Sequence, residues 1–205
     1  LNIFDMTTTT IAPRIIGTNS TIPEDAAIFL TDYASYNDGS QFEFGHWVKL
    51  NQFANADELN AYITKHFQNA DKKSPLGCFS PREEIMITDF EGFPSAFYDE
   101  CMNFEQLFEY FERAYSCGYN AEIVEAFANL GNYKVEDIDT FFDALEESYS
   151  GEFSSDEDFA QDMAEQCGLL EEKPAWPYTC INWRHAAQEL MYDYYKQDGH
   201  YFRCI

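Results

Sequence analysis

Basic side chains are scarce in this sequence. It has 12 Lys and Arg against 37 Asp and Glu, a formal net charge of −25. A nucleic-acid binder needs a basic footprint, so direct DNA or RNA binding is excluded, and anionic membrane surfaces are repelled. No apolar run approaches the roughly 18 residues needed to span a bilayer. The first residues lack the basic and apolar regions of a secretory signal, so the expected location is cytoplasmic, in a bacterial host cell. Without secretion, the sequon at Asn19 is read as an ordinary asparagine. The six cysteines, Cys78, Cys101, Cys117, Cys167, Cys180 and Cys204, are expected as reduced, mostly buried thiols.

Catalytic and metal signatures are missing as well. There is no C-x-x-C, no H-E-x-x-H and no phosphate-cradling glycine loop, and His46, His66, His185 and His200 lie far apart in sequence. A calcium loop counted from Asp156 fails, because its fifth and sixth positions are Ala160 and Gln161. No metal, cofactor or catalytic residue is assigned, and the chain is read as a non-enzyme.

The apolar content is ample, at 45% hydrophobic and 18% aromatic residues, so a packed core is expected. Residues 1–26 read as a flexible tail rich in Thr and Pro. Residues 27–98 read as an α+β domain. "AIFLTDYASYNDGSQFEFGHWVKL" is expected as two strands joined by a loop through Asn37-Asp38-Gly39. A helix with Leu59, Ile63 and Phe67 on one face follows, then a third strand over "EEIMITDFEGF". Residues 99–147 read as an acidic helical domain. Its core candidates are Phe104, Leu107, Phe108, Phe111, Ile123, Val124, Phe127, Leu130, Ile138, Phe141, Phe142 and Leu145. Residues 148–205 read as a second α+β domain. It holds a helix capped by Ser155 with Phe159, Met163 and Cys167 buried, a short strand "YTCI", a helix "NWRHAAQELMYDYY" and a final strand "GHYFRCI". The stretches "IFLTDY", "IMITDF" and "YTCINW" echo one another as strand-to-turn chemistry.

The acids are not evenly spread. Residues 99–172 hold 21 acids against Arg113 and Lys134, whereas residues 173–205 hold three acids against four bases. The acids fall in rows on outward helix faces: Glu105, Glu109 and Glu112; Glu122 and Glu125; Asp139, Asp143 and Glu147; then Glu152, Asp156, Glu157, Asp158, Asp162 and Glu165. Same-sign pairs at i, i+4 cost a helix roughly 0.2–0.5 kcal/mol each, and Glu147 and Glu165 sit near C-termini, where the macrodipole disfavours anions. A surface tuned only for solubility mixes the signs, and a halophilic one is acidic throughout. An i, i+4 row repeats about every 6 Å along a helix, while duplex DNA carries a charge per roughly 1.7 Å of axis. Three or four parallel rows approach that density. The charge pattern therefore points to a DNA mimic. The alternative is an acidic adaptor that inhibits another basic DNA-processing defence protein.

Four stretches carry a resemblance to a known family: "IFLTDYASYNDG…FGHWVKL", "IMITDFEGFP", "YSGEFSSDEDFAQDMAEQCG" and "INWRHAAQELMYDY…HYFRC". In this order, over about residues 27–205, they resemble the ArdA antirestriction proteins of mobile genetic elements. The resemblance implies an elongated chain of three small domains (α+β, helical, α+β) with a strongly acidic surface. It implies a homodimer through residues 148–205 and binding to the methyltransferase and specificity core of Type I restriction–modification enzymes. That binding would block restriction, and in many members of the family modification as well.

Overall fold

A computed structural model describes residues 18–76, 82–169, 176 and 178–205. Its architecture is mixed α+β, with short helices and two small antiparallel sheets. The described residues fall into two compact units that divide between Ala121 and Glu122.

In the first unit, strand β1 (Ala27–Asp32) is central to a sheet of order β2-β1-β3, with β2 (His46–Lys49) and β3 (Ile85–Glu91) both antiparallel to it. The expected loop between the first two strands is instead two short helices, α1 (Tyr33–Asp38) and α2 (Gln41–Phe44). The Asp32 carboxylate caps α1 by accepting from the Ser35 amide, and Gly39 ends it at φ 78°, a conformation glycine adopts without steric cost. The Asp-Gly signal therefore marks a helix stop here rather than a hairpin turn.

Helix α3 (Ala56–Lys73) is capped by Asn55, with Asp57 and Glu58 in its first turn and Lys72 and Lys73 in its last, both favoured by the macrodipole. It buries Leu59, Ile63 and Phe67, as their spacing predicts; Ile28, Leu30 and Val48 of the sheet are buried in the same unit. Helix α4 (Phe104–Cys117) buries Leu107, Phe108 and Phe111; Phe104 is only half-buried. The predicted tail lies outside the described residues as far as residue 17. Beyond it, the Asn19 amide donates to the Asn51 carbonyl, and Ile22 and Ala26 are buried.

A buried arginine ties this unit together. The Arg82 side chain has no solvent exposure. It donates to the Asp71 carboxylate at 2.9 Å, the Ser74 carbonyl at 2.9 Å and Ser35 Oγ at 2.9 Å. Its Nε also lies 3.8 Å from Asp32 Oδ2, and the guanidinium sits 4.8 Å from the Phe44 ring centre. One cation thus joins α1, α2, α3 and the start of β3.

Two histidines distant in sequence meet beside it. The His46 and His66 rings lie 4.3 Å apart. Their Nδ1–H and Nε2–H groups both donate to the Phe44 carbonyl, at 3.1 and 2.8 Å, and the Tyr62 hydroxyl donates to His46 Nε2 at 2.6 Å. Burial holds both imidazoles below the usual histidine range, with His66 lowered to about 4, helped by the neighbouring His46.

In the second unit, helices α5 (Ala121–Asn129) and α6 (Ile138–Ser148) precede strand β4 (Tyr149–Glu152), helix α7 (Asp156–Gln166), helix α8 (Trp183–Leu190) and strands β5 (Tyr194–Gln197) and β6 (His200–Arg203). The sheet order is β4-β6-β5, all antiparallel. Phe127, Phe141, Phe142, Leu145, Phe159, Tyr201 and Phe202 form its core. Val124 is buried, and Ile123 and Leu130 are half-buried.

Three elements depart from expectation. "YTCI" contributes a 3-10 turn at Tyr178–Cys180 rather than a strand, because three residues with no paired neighbour strand gain no ladder hydrogen bonds. The helix after it stops at Leu190, and Tyr194–Gln197 is a strand. Asp198 (φ 50°) and Gly199 (φ 85°) form a two-residue left-handed turn that closes β5 onto β6, the geometry Asp-Gly favours in hairpins. On α7, Phe159 is buried, but Met163 is half-buried and Cys167 exposed. Phe159 packs on Phe153, Tyr194 and Tyr201, and the two later residues lie one and two turns beyond that cluster.

The thiols also differ from expectation. Cys101, Cys167, Cys180 and Cys204 are exposed and Cys117 is half-buried, while Cys78 lies outside the described residues. The exposed four sit at helix ends, turns and a strand end, where the chain comes to the surface.

Arg82→Met is expected to lower the unfolding free energy by about 3–5 kcal/mol, because it strands the buried Asp32 charge; urea denaturation measures it, and a loss under about 1 kcal/mol would refute the node. The histidine pair weakens the fold as pH falls, in the same sense as a carboxylate whose folded value is lowered. Its folded pKa values lie below the unfolded one, so its contribution is full above pH 6.5 and is lost as pH falls toward about 4. An NMR titration should find His66 neutral at pH 6; a protonated ring there contradicts the packing.

Candidate functional site

The acid rows are built by the same periodicity that builds the core. On α4, Leu107, Phe108 and Phe111 point inward, which leaves Glu105, Glu109 and Glu112 exposed. On α6, Phe141, Phe142 and Leu145 are buried and Asp139, Asp143 and Glu147 are exposed. Asp137 caps α6, accepting from the Thr140 amide at 3.1 Å. On α5, Glu122 is exposed and Glu125 half-buried. Glu152 is exposed at the end of β4. The row on α4 belongs to the first unit, and the rows on α5, α6 and α7 belong to the second.

Two ion pairs of the second unit differ in weight, Lys196 with Asp156 at 2.7 Å and Arg203 with Glu147. Arg203 reaches Glu147 at 3.9 Å with both side chains more than half exposed, a pairing that contributes little in water.

The segment "SSDEDFAQDMAEQ" resolves into distinct roles. Ser155 Oγ accepts from the Asp158 amide at 3.1 Å and starts α7. Asp156, Glu157 and Asp158 occupy its first turn, where the positive end of the macrodipole stabilises them. Asp158 is exposed and accepts from Ser154 Oγ at 3.1 Å. Asp162 is half-buried and accepts from the Gln166 amide nitrogen at 2.6 Å; Glu157 is half-buried and Glu165 exposed.

Asp156 stands apart from the other acids. Its Oδ1 accepts from Lys196 Nζ at 2.7 Å and from the Tyr201 hydroxyl at 2.6 Å. These two hydrogen bonds hold its carboxyl below the usual aspartate range. Lys196 is raised by the same contact, and burial together with Asp156 pushes the Tyr201 phenol up. Asp156 therefore locks α7 to the β5–β6 hairpin, and its charge is matched. Sequence spacing alone places it among the outward acids, because Lys196 and Tyr201 lie 40 and 45 residues away.

The His46–His66 pair was also beyond sequence reasoning, although a signal exists. His66 shares the buried stripe of Leu59, Ile63, Phe67 and Ala70. The rings abut no third ligand: among the described residues no group of three or more His, Cys, Asp or Glu side chains is placed to hold a metal ion.

Fold and site together define a class: a mixed α+β protein whose helices bury aromatic stripes and turn carboxylates outward. Among the described residues no helix is long and apolar enough to cross a membrane. The family model described as antirestriction protein (ArdA) matches residues 28–202, and the chain belongs to that family. Comparison with curated proteins and with solved structures returned no match.

Asp156→Ala should destabilise the chain by about 1–3 kcal/mol, since the buried Tyr201 hydroxyl loses its acceptor. Glu165→Gln should change stability by less than about 0.5 kcal/mol, or raise it slightly by relieving the helix C-terminus. Thermal unfolding of the two variants compares them; equal losses would show that Asp156 is an ordinary surface acid. The Asp156 contribution is present above the usual aspartate range and disappears as pH falls below it, through the lowered folded value.

Proposed function

We propose that this antirestriction protein works as a DNA mimic. Its exposed carboxylates enter the duplex-binding groove of a Type I restriction–modification enzyme, at the methyltransferase and specificity core, and keep DNA out. The observation that carries this reading is the pair of outward rows on α4 and α6, Glu105–Glu109–Glu112 and Asp139–Asp143–Glu147, in a chain of net charge −25. Glu122, Glu152, Asp158 and Glu165 extend the exposed set, with Glu125, Glu157 and Asp162 at its margin. A basic groove that binds phosphates by releasing counterions gains comparably from dense carboxylates. No single acid dominates, and no bond is made or broken. Residues 173–205, close to neutral, supply the region where two copies of so acidic a chain associate with least repulsion, which supports a homodimer formed through residues 148–205. The setting is the cytoplasm of a bacterial host, where such enzymes meet incoming DNA.

Competition binding tests the proposal. Labelled duplex on a purified Type I methyltransferase core should be displaced by the protein, with an affinity that falls steeply as salt rises. Neutralising the α6 row (Asp139→Asn, Asp143→Asn, Glu147→Gln) should flatten that salt dependence. Simultaneous binding of duplex and protein would overturn mimicry and favour an acidic adaptor that docks elsewhere on a basic defence protein.

A further inference from the structure

The outer face of the first sheet carries an aromatic patch that the acid rows do not explain. Phe29 on β1 and Trp47 on β2 are directly opposed across the ladder, with ring centres 5.7 Å apart and nearly perpendicular. Phe42 on α2 meets the same Phe29 ring at 6.2 Å, again edge-on. The three rings are contiguous, and their outer members face solvent: Phe42 is 72% exposed and Trp47 36%. Isolated exposed apolar residues are common on soluble proteins, but a joined aromatic cluster is the composition of a binding hot spot.

The surrounding chain holds the patch in place. Gly45, directly after α2, has no room for a side chain: a Cβ there would collide with the Gln41 carbonyl and press on Phe29 and on the Leu30 carbonyl. The Thr31 hydroxyl donates to that same Gln41 carbonyl at 3.3 Å. Behind it, Phe44 lies under the buried Arg82, which also grips Ser35 on α1. A buried cation and a close-packed glycine thus fix a four-residue helix that holds Phe42 out to solvent. Burial of the neighbouring residues accounts for the helix; it does not account for Phe42.

The rim indicates the occupant. Glu43 adjoins Phe42, Asp89 lies opposite Phe29 on β3, and Glu91 lies opposite Ala27; all three are exposed, with Lys49 the one base in register beside them. Aromatic rings ringed by carboxylates suit the guanidinium and aliphatic stem of arginine, which stacks on ring faces while pairing with acids. A second copy of this chain fits poorly, because a two-fold contact of this patch with itself would bring the rim acids Glu43, Asp89 and Glu91 of both copies together.

We propose that the Phe29–Phe42–Trp47 patch is a second contact surface for the target, receiving arginine-bearing surface of a basic protein. It would supply a largely salt-insensitive part of the affinity that DNA itself lacks. This rests on the reading above that the target is the basic methyltransferase core, and its failure is separable from failure of mimicry.

Phe42→Ala and Trp47→Ala, in the full chain, are titrated against the methyltransferase core over a range of salt. Each should weaken binding by about tenfold at every concentration, leaving the slope of log affinity against log salt unchanged, and Phe42→Tyr should retain most of the affinity. Thermal unfolding matching the parent shows that Phe42→Ala is folded, as its exposure leads one to expect. Affinities indistinguishable from the parent across the range overturn the proposal. So does loss of self-association in sedimentation with target affinity intact, which would assign the patch to a second copy. Mimicry is judged by a separate arm, duplex displacement, so a patch variant can weaken binding whether or not DNA is excluded.

Discussion

Self-repulsion among 37 carboxylates, opposed by 12 basic side chains, is the constraint that every element of this chain accommodates. Compaction brings like charges together, and 12 bases cannot neutralise 37 acids. The answer is aromatic packing. In the second unit Phe127 packs edge-on against Phe141 at 5.1 Å and meets Phe202 at 5.2 Å, while Phe159 stacks on Tyr201 at 4.4 Å. Large rings bury much area per residue, so short helices with one acidic face still hold together. The high aromatic content and the acidity are two sides of one solution.

The few bases are placed where they act most strongly. Arg82 is wholly buried and joins four segments of the first unit, so one cation stabilises structure without diluting the surface charge. Lys196 does similar work in the second unit, clamping Asp156 and lying 5.1 Å from the Tyr201 ring centre. The outward rows on α4 and α6, Glu105–Glu109–Glu112 and Asp139–Asp143–Glu147, are acids. The DNA mimicry proposed above rests on such an imbalance, and antirestriction is the activity of the family to which the chain belongs.

Much of this was legible in advance because it depends on local periodicity. Helix stripes such as Leu59–Ile63–Phe67 and Phe141–Phe142–Leu145 declare their buried face by spacing, and the acids between them are then exposed by geometry. The cap at Ser155 follows from residue type before an apolar run. What failed were inferences needing a partner. "YTCI" has strand composition without a strand to pair with, whereas Tyr194–Gln197 looked helical until the Asp198–Gly199 turn laid it against β6. Cysteine chemistry suggested burial, but position on helix ends and turns decided exposure.

The sequence by itself determined the sign and segregation of the charge, the helical faces that display it and the apolar stripes beneath. These properties repeat every few residues and need no distant contact. Only the tertiary structure decided that Asp156 is sequestered by Lys196 and Tyr201, that His46 and His66 share one carbonyl, that Arg82 is a buried cation and that Phe42 stays exposed beside Phe29. Each of these depends on a contact between residues about ten to fifty positions apart. Hydrogen bonds and ring contacts act over a few ångströms, so a linear pattern carries no trace of them until folding brings the partners together.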